Sequence, residues 1–166
     1  MLSTLDLEAQ IASDGAIWLD RQLIGRDRVP VAKAGVGMEV ETALEQRRQH
    51  HIGHDNARQD GKGRVFYRRD LLATLEGREV ARVGAEIATT RDMSFRLAMR
   101  GEPISGTYRE TVQLASGRYA LIENAQDFIL VPWRSVIEPS LGREVVGLVT
   151  DGGISWQLQR DRGLDR

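Results

Sequence analysis

The stretch that decides the fold is SGTYRETVQLASGRYALIENAQDFILVPW, residues 105–133. From Tyr108 to Leu114, even-numbered and odd-numbered residues form two sets that would face opposite sides of a strand, and β-branched residues are frequent. This pattern is typical of a half-buried strand. A Ser-Gly turn and two further apolar runs follow, at 119–122 and 128–131, and a proline comes directly after the second run. The stretch therefore predicts a small antiparallel sheet.

The residues after this stretch continue the same pattern. Residues 135–141 predict a single helical turn, and an Asp-Gly-Gly turn joins two more strand runs, at 144–149 and 154–159. Short strands with tight turns and one helical turn before the last pair indicate a small antiparallel β-barrel of the SH3-like or oligonucleotide-binding (OB-like) kind.

The first part of the chain carries weaker signals. Residues 5–12 predict a short helix that Thr4 caps. Residues 16–24 fit a strand or a helix, because apolar side chains occur on both parities. Residues 27–37 contain one proline and two glycines, and they predict a loop or linker.

The middle of the chain has the outline of a winged-helix element. A helical apolar period runs from Met38 to about His51, and Arg47 would extend its stripe only through the apolar stem of the side chain. Residues 56–67 place an Asp-Gly-Lys-Gly turn between two short runs, which predicts a hairpin. A second helical period covers residues 70–90, with a break expected near Gly77 because glycine weakens a helix by about 1 kcal/mol.

The chain as a whole is therefore predicted to be α+β. We expect an N-terminal helical or extended segment at residues 1–37, a winged-helix-like part at 38–100, the small barrel at 101–160 and a polar tail at 161–166. Hydrophobic residues make up 41% and charged residues 28%, as in ordinary soluble proteins. Cysteine is absent, which excludes thiolate chemistry. No apolar run approaches the roughly 20 residues of a membrane span and no signal peptide is visible, so a cytoplasmic location is expected.

Three histidines cluster at the end of the first long predicted helix. His50 and His54 would share one helix face at a spacing that can hold a metal. A zinc-protease motif needs a glutamate directly after the first histidine, where His51 stands, and no third ligand is evident beyond Asp55 or Asp60. We favour the alternative, in which these histidines are exposed polar residues at a helix end.

The sequence contains no recognisable catalytic constellation. A serine, histidine and acid set cannot be assembled, and the scattered glycines form no phosphate loop. Each of the three tyrosines could act as a nucleophile in principle, but Tyr108 and Tyr119 fall on predicted strands and are expected to be core aromatics. We therefore predict a noncatalytic chain with neither a metal nor a cofactor.

The predicted hairpin is the most basic part of the chain. Residues 57–69 contain five basic side chains and one acidic side chain, Asp60. Such a cluster favours contacts with nucleic-acid phosphates, and the alternative is a solvated hairpin whose charges prevent edge aggregation. Trp133, if exposed, would offer a stacking platform for a base. The predicted nucleic-acid-binding residues are Arg58, Lys62, Arg64, Arg68, Arg69 and Trp133.

Several runs carry a resemblance to a known family. The order ASGRYALIE, FILVPW, LGREVVG and GGISW, preceded by LEAQIASDGAIWLDRQLIG and RRDLLATLEGREVARVGAEIA, resembles the C-terminal region of bacterial conjugal-transfer relaxases, the mobilisation nucleases of plasmids and integrative elements. In that family a domain of uncharacterised function follows the nuclease. The likeness covers nearly the whole chain.

The resemblance implies a noncatalytic part of a protein that nicks plasmid DNA. The catalytic tyrosine and three-histidine metal motif of such proteins would belong to a preceding nuclease domain, so no catalytic role carries over to this chain. Together with the basic hairpin, the resemblance predicts DNA as the partner, bound with low sequence specificity. The alternative is docking to the type IV secretion coupling protein or to another relaxosome component. The tail QRDRGLDR resembles the arginine- and glycine-containing tail of that family, which could belong to a secretion signal.

Overall fold

The structure is a computed structural model that describes residues 6–25 and 36–157. The chain forms two compact units, Met1–Glu79 and Val80–Arg166. The predicted class is confirmed: the protein is α+β, with helices in the N-terminal part and a mostly antiparallel sheet in the C-terminal part. Within the described ranges, none of the helices combines the length and the apolar character of a membrane span.

Three helices open the first unit. Helix α1 covers Leu7–Ala12, α2 covers Trp18–Ile24 and α3 covers Val36–Gly53. Asp6 caps α1, because its Oδ1 accepts a hydrogen bond of 2.8 Å from the amide of Ala9. The predicted cap, Thr4, lies outside the described residues, as do most of the predicted linker 27–37 and the tail 161–166.

The predicted hairpin is confirmed in the same unit. Strand β1, Ala57–Gln59, pairs antiparallel with β2, Val65–Tyr67. The carboxylate of Asp60 organises the turn between them, since its Oδ1 accepts hydrogen bonds of 2.9 Å from the amides of Lys62 and Arg64. The turn is therefore fixed by its own sequence.

Helix α4 runs without interruption over Leu71–Arg91, and the predicted break near Gly77 is wrong. The first turns of α4 bury Leu71 and Leu75 in the core of the first unit, and its later turns present Val80 and Ile87 to the core of the second unit. Burial along the whole helix outweighs the cost of about 1 kcal/mol for each glycine.

A six-stranded sheet forms the second unit. Its spatial order is β3-β6-β5-β4-β7-β8, and all neighbours are antiparallel except the pair β3 and β6. A 3₁₀ helix, Ser135–Ser140, matches the predicted helical turn. The strands are β3 Ser94–Phe95, β4 Pro103–Leu114, β5 Gly117–Glu123, β6 Asp127–Pro132, β7 Glu144–Thr150 and β8 Gly153–Gln157.

Strand β4 contains a bulge that the alternation of its sequence does not reveal. Tyr108 pairs with Ile122 and Glu110 pairs with Leu121, so Arg109 is the extra residue. The bulge moves the following residues to the opposite face of the sheet. Tyr108 is consequently buried in one core and Leu114 in the other, although the two share a parity in the sequence.

Both faces of the sheet are covered. One face, which includes Ile122 and Val131, packs with Ile137 of the 3₁₀ helix, while the other, which includes Leu121 and Phe128, packs with helix α4. Burial on both faces accounts for the unbroken apolar runs of β5 and β6. The hydrogen-bonded ladders describe an open sheet and no closed barrel. Strand β3 occupies part of the free edge of β6, and β8 comes close to β6.

The two glycines of α4 provide a test of this packing. A Cβ at Gly77 would meet nothing within 4 Å, whereas a Cβ at Gly84 would lie 2.4 Å from the ring of Phe95, which itself packs on Phe128. We expect Gly77→Ala to stabilise the protein by up to about 1 kcal/mol. Gly84→Ala should destabilise it by roughly 1–3 kcal/mol through overpacking. Thermal unfolding followed by circular dichroism measures both, and equal stabilisation by the two substitutions would contradict the packing described.

Candidate nucleic-acid interface

A buried ion pair sets the position of helix α3 in the first unit. The carboxylate of Asp20 and the guanidinium of Arg47 form a bidentate pair, with Nε to Oδ1 at 2.7 Å and Nη2 to Oδ2 at 2.9 Å, and both side chains are fully buried. The remaining hydrogens of Arg47 go to backbone carbonyls of Ile11, Ser13 and Gly15. A single side chain of α3 therefore ties down the segment between α1 and α2.

His51 completes this cluster. Its Nε2 donates to Oδ1 of Asp20 at 2.6 Å, and its side chain is fully buried. Burial alone would raise the pKa of Asp20, but the hydrogen bonds from His51 and Arg47 hold that pKa below its usual value. Asp20 is therefore an ionised group that is neutralised inside the unit.

Two sequence-based interpretations change as a result. His51 was expected to be an exposed polar residue and is buried, and Arg47 contributes its guanidinium as well as its stem to the interior. The sequence did place a charged residue in each of two apolar patterns. Asp20 lies inside the run AIWLDRQLI, and Arg47 lies on the apolar stripe of α3. A single sequence does not show that two such positions meet.

The other two histidines lie side by side at the end of α3. The rings of His50 and His54 are stacked with centroids 4.2 Å apart, as the predicted spacing requires. Burial, followed by the positive charge of Arg47, lowers the pKa of His50. Among the residues that the structure describes, no three His, Cys, Asp or Glu side chains converge as metal ligands.

The hairpin is attached to the end of α3 through Asn56. The amide of Asn56 donates to the carbonyl of His51 at 2.9 Å, and the carbonyl of Asn56 accepts from the amide of Arg68 at 3.1 Å. These two bonds hold both strands at the base of the hairpin. Asp55, directly before them, has a left-handed backbone with φ of 57°.

The five basic residues of this region are all exposed, and they fall into two groups. Arg64 pairs with Asp60 at 2.8 Å, and Arg68 pairs with Asp70 at 3.3 Å. The other three have no acidic partner in the part of the chain that the structure describes, and they keep their full charge for an external anion. These unpaired cations are Arg58, Lys62 and Arg69.

A recess of about 400 Å³ is lined by one of these cations, Arg58. Phe66 is 56% exposed and lies directly across the β1–β2 ladder from Arg58. The guanidinium of Arg64 lies 5.8 Å from the centre of the Phe66 ring. Phe66 was not among the predicted binding residues, and no charge or motif in the sequence marks it. The residues that line the recess are Asp55, Ala57, Arg58, Phe66, Tyr67 and Arg68.

The recess is connected to the buried cluster by Tyr67. The ring of Tyr67 meets the ring of His51 edge to face, with centroids 6.2 Å apart. Its hydroxyl accepts a hydrogen bond of 3.4 Å from Nε of Arg48, and this bond contributes most to raising the pKa of Arg48. The wall of the recess is therefore held by the same helix that carries the buried ion pair.

Trp133 lies in the second unit and is half-buried. It packs against the core, and the guanidinium of Arg118 lies 5.2 Å from the centre of its ring. One ring face is thus occupied, and its role as a stacking platform stays a prediction. Tyr108 and Tyr119 are buried core residues, as predicted.

Comparison with known proteins places the chain in one family. Residues 1–165 match DUF3363, which is described as a protein of unknown function. The chain belongs to the DUF3363 family. Neither the curated proteins nor the solved structures contain a significant match.

Replacing Arg47 by methionine tests the buried cluster. The substitution keeps an unbranched apolar stem but leaves Asp20 buried without its guanidinium partner, and we expect a loss of about 3–5 kcal/mol in unfolding free energy at neutral pH. The matched control, Arg82→Met, removes an exposed pair with Glu86 and should cost at most about 1 kcal/mol. Urea unfolding followed by the helical circular dichroism signal measures both.

The stability difference between the parent and Arg47→Met should depend on pH, with a sign set by the pKa of Asp20. Because the pKa of Asp20 is lowered on folding from 3.8, its contribution is complete above that value and is lost as the pH falls through the folded pKa. The difference in stability between the parent and Arg47→Met should therefore shrink below about pH 4. A difference that stays constant down to the acid transition would contradict the ionised state of Asp20.

Proposed function

We propose that this chain is a noncatalytic DNA-binding module of a conjugative relaxase, which acts in the cytoplasm and supports transfer of a plasmid or integrative element. The observation that carries the proposal is the group of three unpaired cations, Arg58, Lys62 and Arg69, on and beside a hairpin that also exposes Phe66. Positive charge supplies affinity for phosphates, and an exposed ring supplies a surface for bases.

The local charge supports a polyanion as the partner. The whole chain has a formal net charge of −1, so its attraction for an anion has to come from a local concentration of positive charge. Arg64 and Arg68 are partly neutralised by their carboxylate partners, whereas Arg58, Lys62 and Arg69 have no such partner among the described residues. The unpaired cations would contact phosphates, which gives affinity with little sequence preference.

The finer features of the fold belong to the same proposal. Helix α3, the β1–β2 hairpin and helix α4 follow one another as in a winged-helix element, with the hairpin as the wing. Strands β4 to β8 would form a small barrel of the SH3-like or OB-like kind, which the closeness of β6 and β8 supports. The wing would contact DNA, and the barrel would hold a strand or a protein.

The assignment to a relaxase is supported by the resemblance of the runs ASGRYALIE, FILVPW, LGREVVG and GGISW to the C-terminal region of those proteins. Under this proposal the nicking tyrosine and its metal site belong to a separate nuclease domain. This chain then holds DNA and does not cut it.

Removal of the unpaired cations tests the proposal. The Arg58→Ala, Lys62→Ala, Arg69→Ala triple variant should lose affinity for a fluorescent DNA strand at least tenfold at about 50 mM salt. The slope of log K against log salt should become about two units less negative, because three phosphate contacts at about 0.7 each disappear. Fluorescence anisotropy of the full chain over a range of salt concentrations measures both quantities.

The control removes the same number of positive charges from ion pairs elsewhere. Arg82, Arg100 and Arg109 are exposed and pair with Glu86, Asp151 and Glu123, respectively. Their triple alanine variant should bind DNA within about twofold of the parent, because paired charges contribute little. Equal losses in the two triple variants, or no DNA binding by the parent, would contradict the proposal.

A second candidate function is docking to the secretion coupling protein or to another relaxosome component. The observation that favours it is an exposed apolar pair on β7, Val146 and Leu148, which are 38% and 43% exposed. If the parent chain binds no DNA at low salt, this candidate replaces the first.

A further inference from the structure

We propose that the recess beside the hairpin binds one unpaired guanine base of single-stranded DNA, an inference that rests on the proposed function. Phe66 would stack on the base and Asp55 would accept hydrogen bonds from its Watson–Crick edge. The unpaired guanidinium of Arg58, which lines the same recess, would contact the adjoining phosphate.

The exposed ring of Phe66 selects an unpaired base. A ring that is 56% exposed stacks on a base only if that base has left the stack of its own duplex. Arg64 already lies over the Phe66 ring at 5.8 Å, so a base would complete a layered arrangement with the guanidinium. The arrangement is therefore specific for single strands.

The size of the recess agrees with one nucleotide. Its volume of about 400 Å³ lies at the lower end of the range of roughly 300–1,000 Å³ that small-ligand pockets occupy. The positive charge of Arg58 at the rim also suits the phosphate of a nucleotide, because Arg58 has no acidic partner within residues 6–25 and 36–157.

Asp55 supplies the selectivity among bases. Its carboxylate makes no hydrogen bond or ion pair with the described residues, although Arg58 and Arg68 line the same recess. A carboxylate accepts two parallel hydrogen bonds best, and guanine presents two adjacent donors, N1–H and N2–H. Adenine, cytosine and thymine each place an acceptor beside their one Watson–Crick donor, and that acceptor would be repelled by the carboxylate.

The backbone around Asp55 holds this carboxylate in place. Its φ of 57° is a left-handed conformation that aspartate and asparagine tolerate, and Asn56 directly after it is bonded to His51 and Arg68. Asp55→Asn is consequently a conservative change for the fold. The amide offers one donor and one acceptor, so it loses the two-acceptor pattern that fits guanine.

The experiment uses the full chain and thymidine-based strands of about 12 nucleotides with one central deoxyguanosine, deoxyinosine or deoxyadenosine. Inosine lacks only the N2 amino group of guanine. The parent should bind the guanine strand about tenfold more tightly than the inosine strand, which is the effect of one charge-assisted hydrogen bond. Asp55→Asn should bind the two strands equally.

Phe66→Ala and a matched control separate stacking from charge. Phe66→Ala should weaken binding of every single strand about tenfold, with the salt dependence unchanged. Leu97→Ala removes a similarly exposed apolar side chain from the second unit and should leave binding unchanged. Circular dichroism checks that each variant is folded. A duplex that contains the same guanine strand should bind the parent more weakly than the single strand does.

The possible failures are distinguishable. Salt-dependent binding without any difference between guanine and inosine, or without any effect of Asp55→Asn, would overturn the guanine recess and leave the DNA-binding module intact. Absence of binding to every strand would overturn both proposals.

Discussion

The bidentate pair between Asp20 and Arg47 is the constraint on which the first unit depends. Two fully buried charges tolerate only the arrangement in which each is neutralised, since an unpaired buried charge costs several kcal/mol. Loss of one partner of such a pair is strongly destabilising, because the other charge is then buried and uncompensated. Here it fixes α3 against the segment between α1 and α2, and His51 extends the same cluster towards the C-terminal end of α3.

The hairpin inherits its position from that helix end. Asn56 bonds to His51 on one side and to Arg68 on the other, and Tyr67 packs its ring against His51. A recess with the cation of Arg58, an exposed aromatic ring and a carboxylate is therefore held by a buried polar cluster. Binding surfaces on short hairpins need support of this kind, because two three-residue strands have little stability of their own.

The sequence predicted the elements with regular patterns and missed those that depend on distant partners. The hairpin, the long helices and most strands follow from local periodicity and turn residues. The bulge at Arg109 interrupts no alternation, and the continuity of α4 through Gly77 depends on burial at both of its ends. The pairing of Asp20 with Arg47 joins positions far apart in the chain. The basic residues of the site were predictable from charge alone, whereas Asp55 and Phe66 needed the geometry of the recess.

The most direct test of the central claim is an amide NMR titration of the full chain with a guanine-containing single strand of about 12 nucleotides. The largest and saturable changes should fall on residues 55–69, with smaller ones at the end of α3. Unchanged hairpin amides, with the changes confined to residues 94–157, would contradict the assignment of DNA binding to the hairpin.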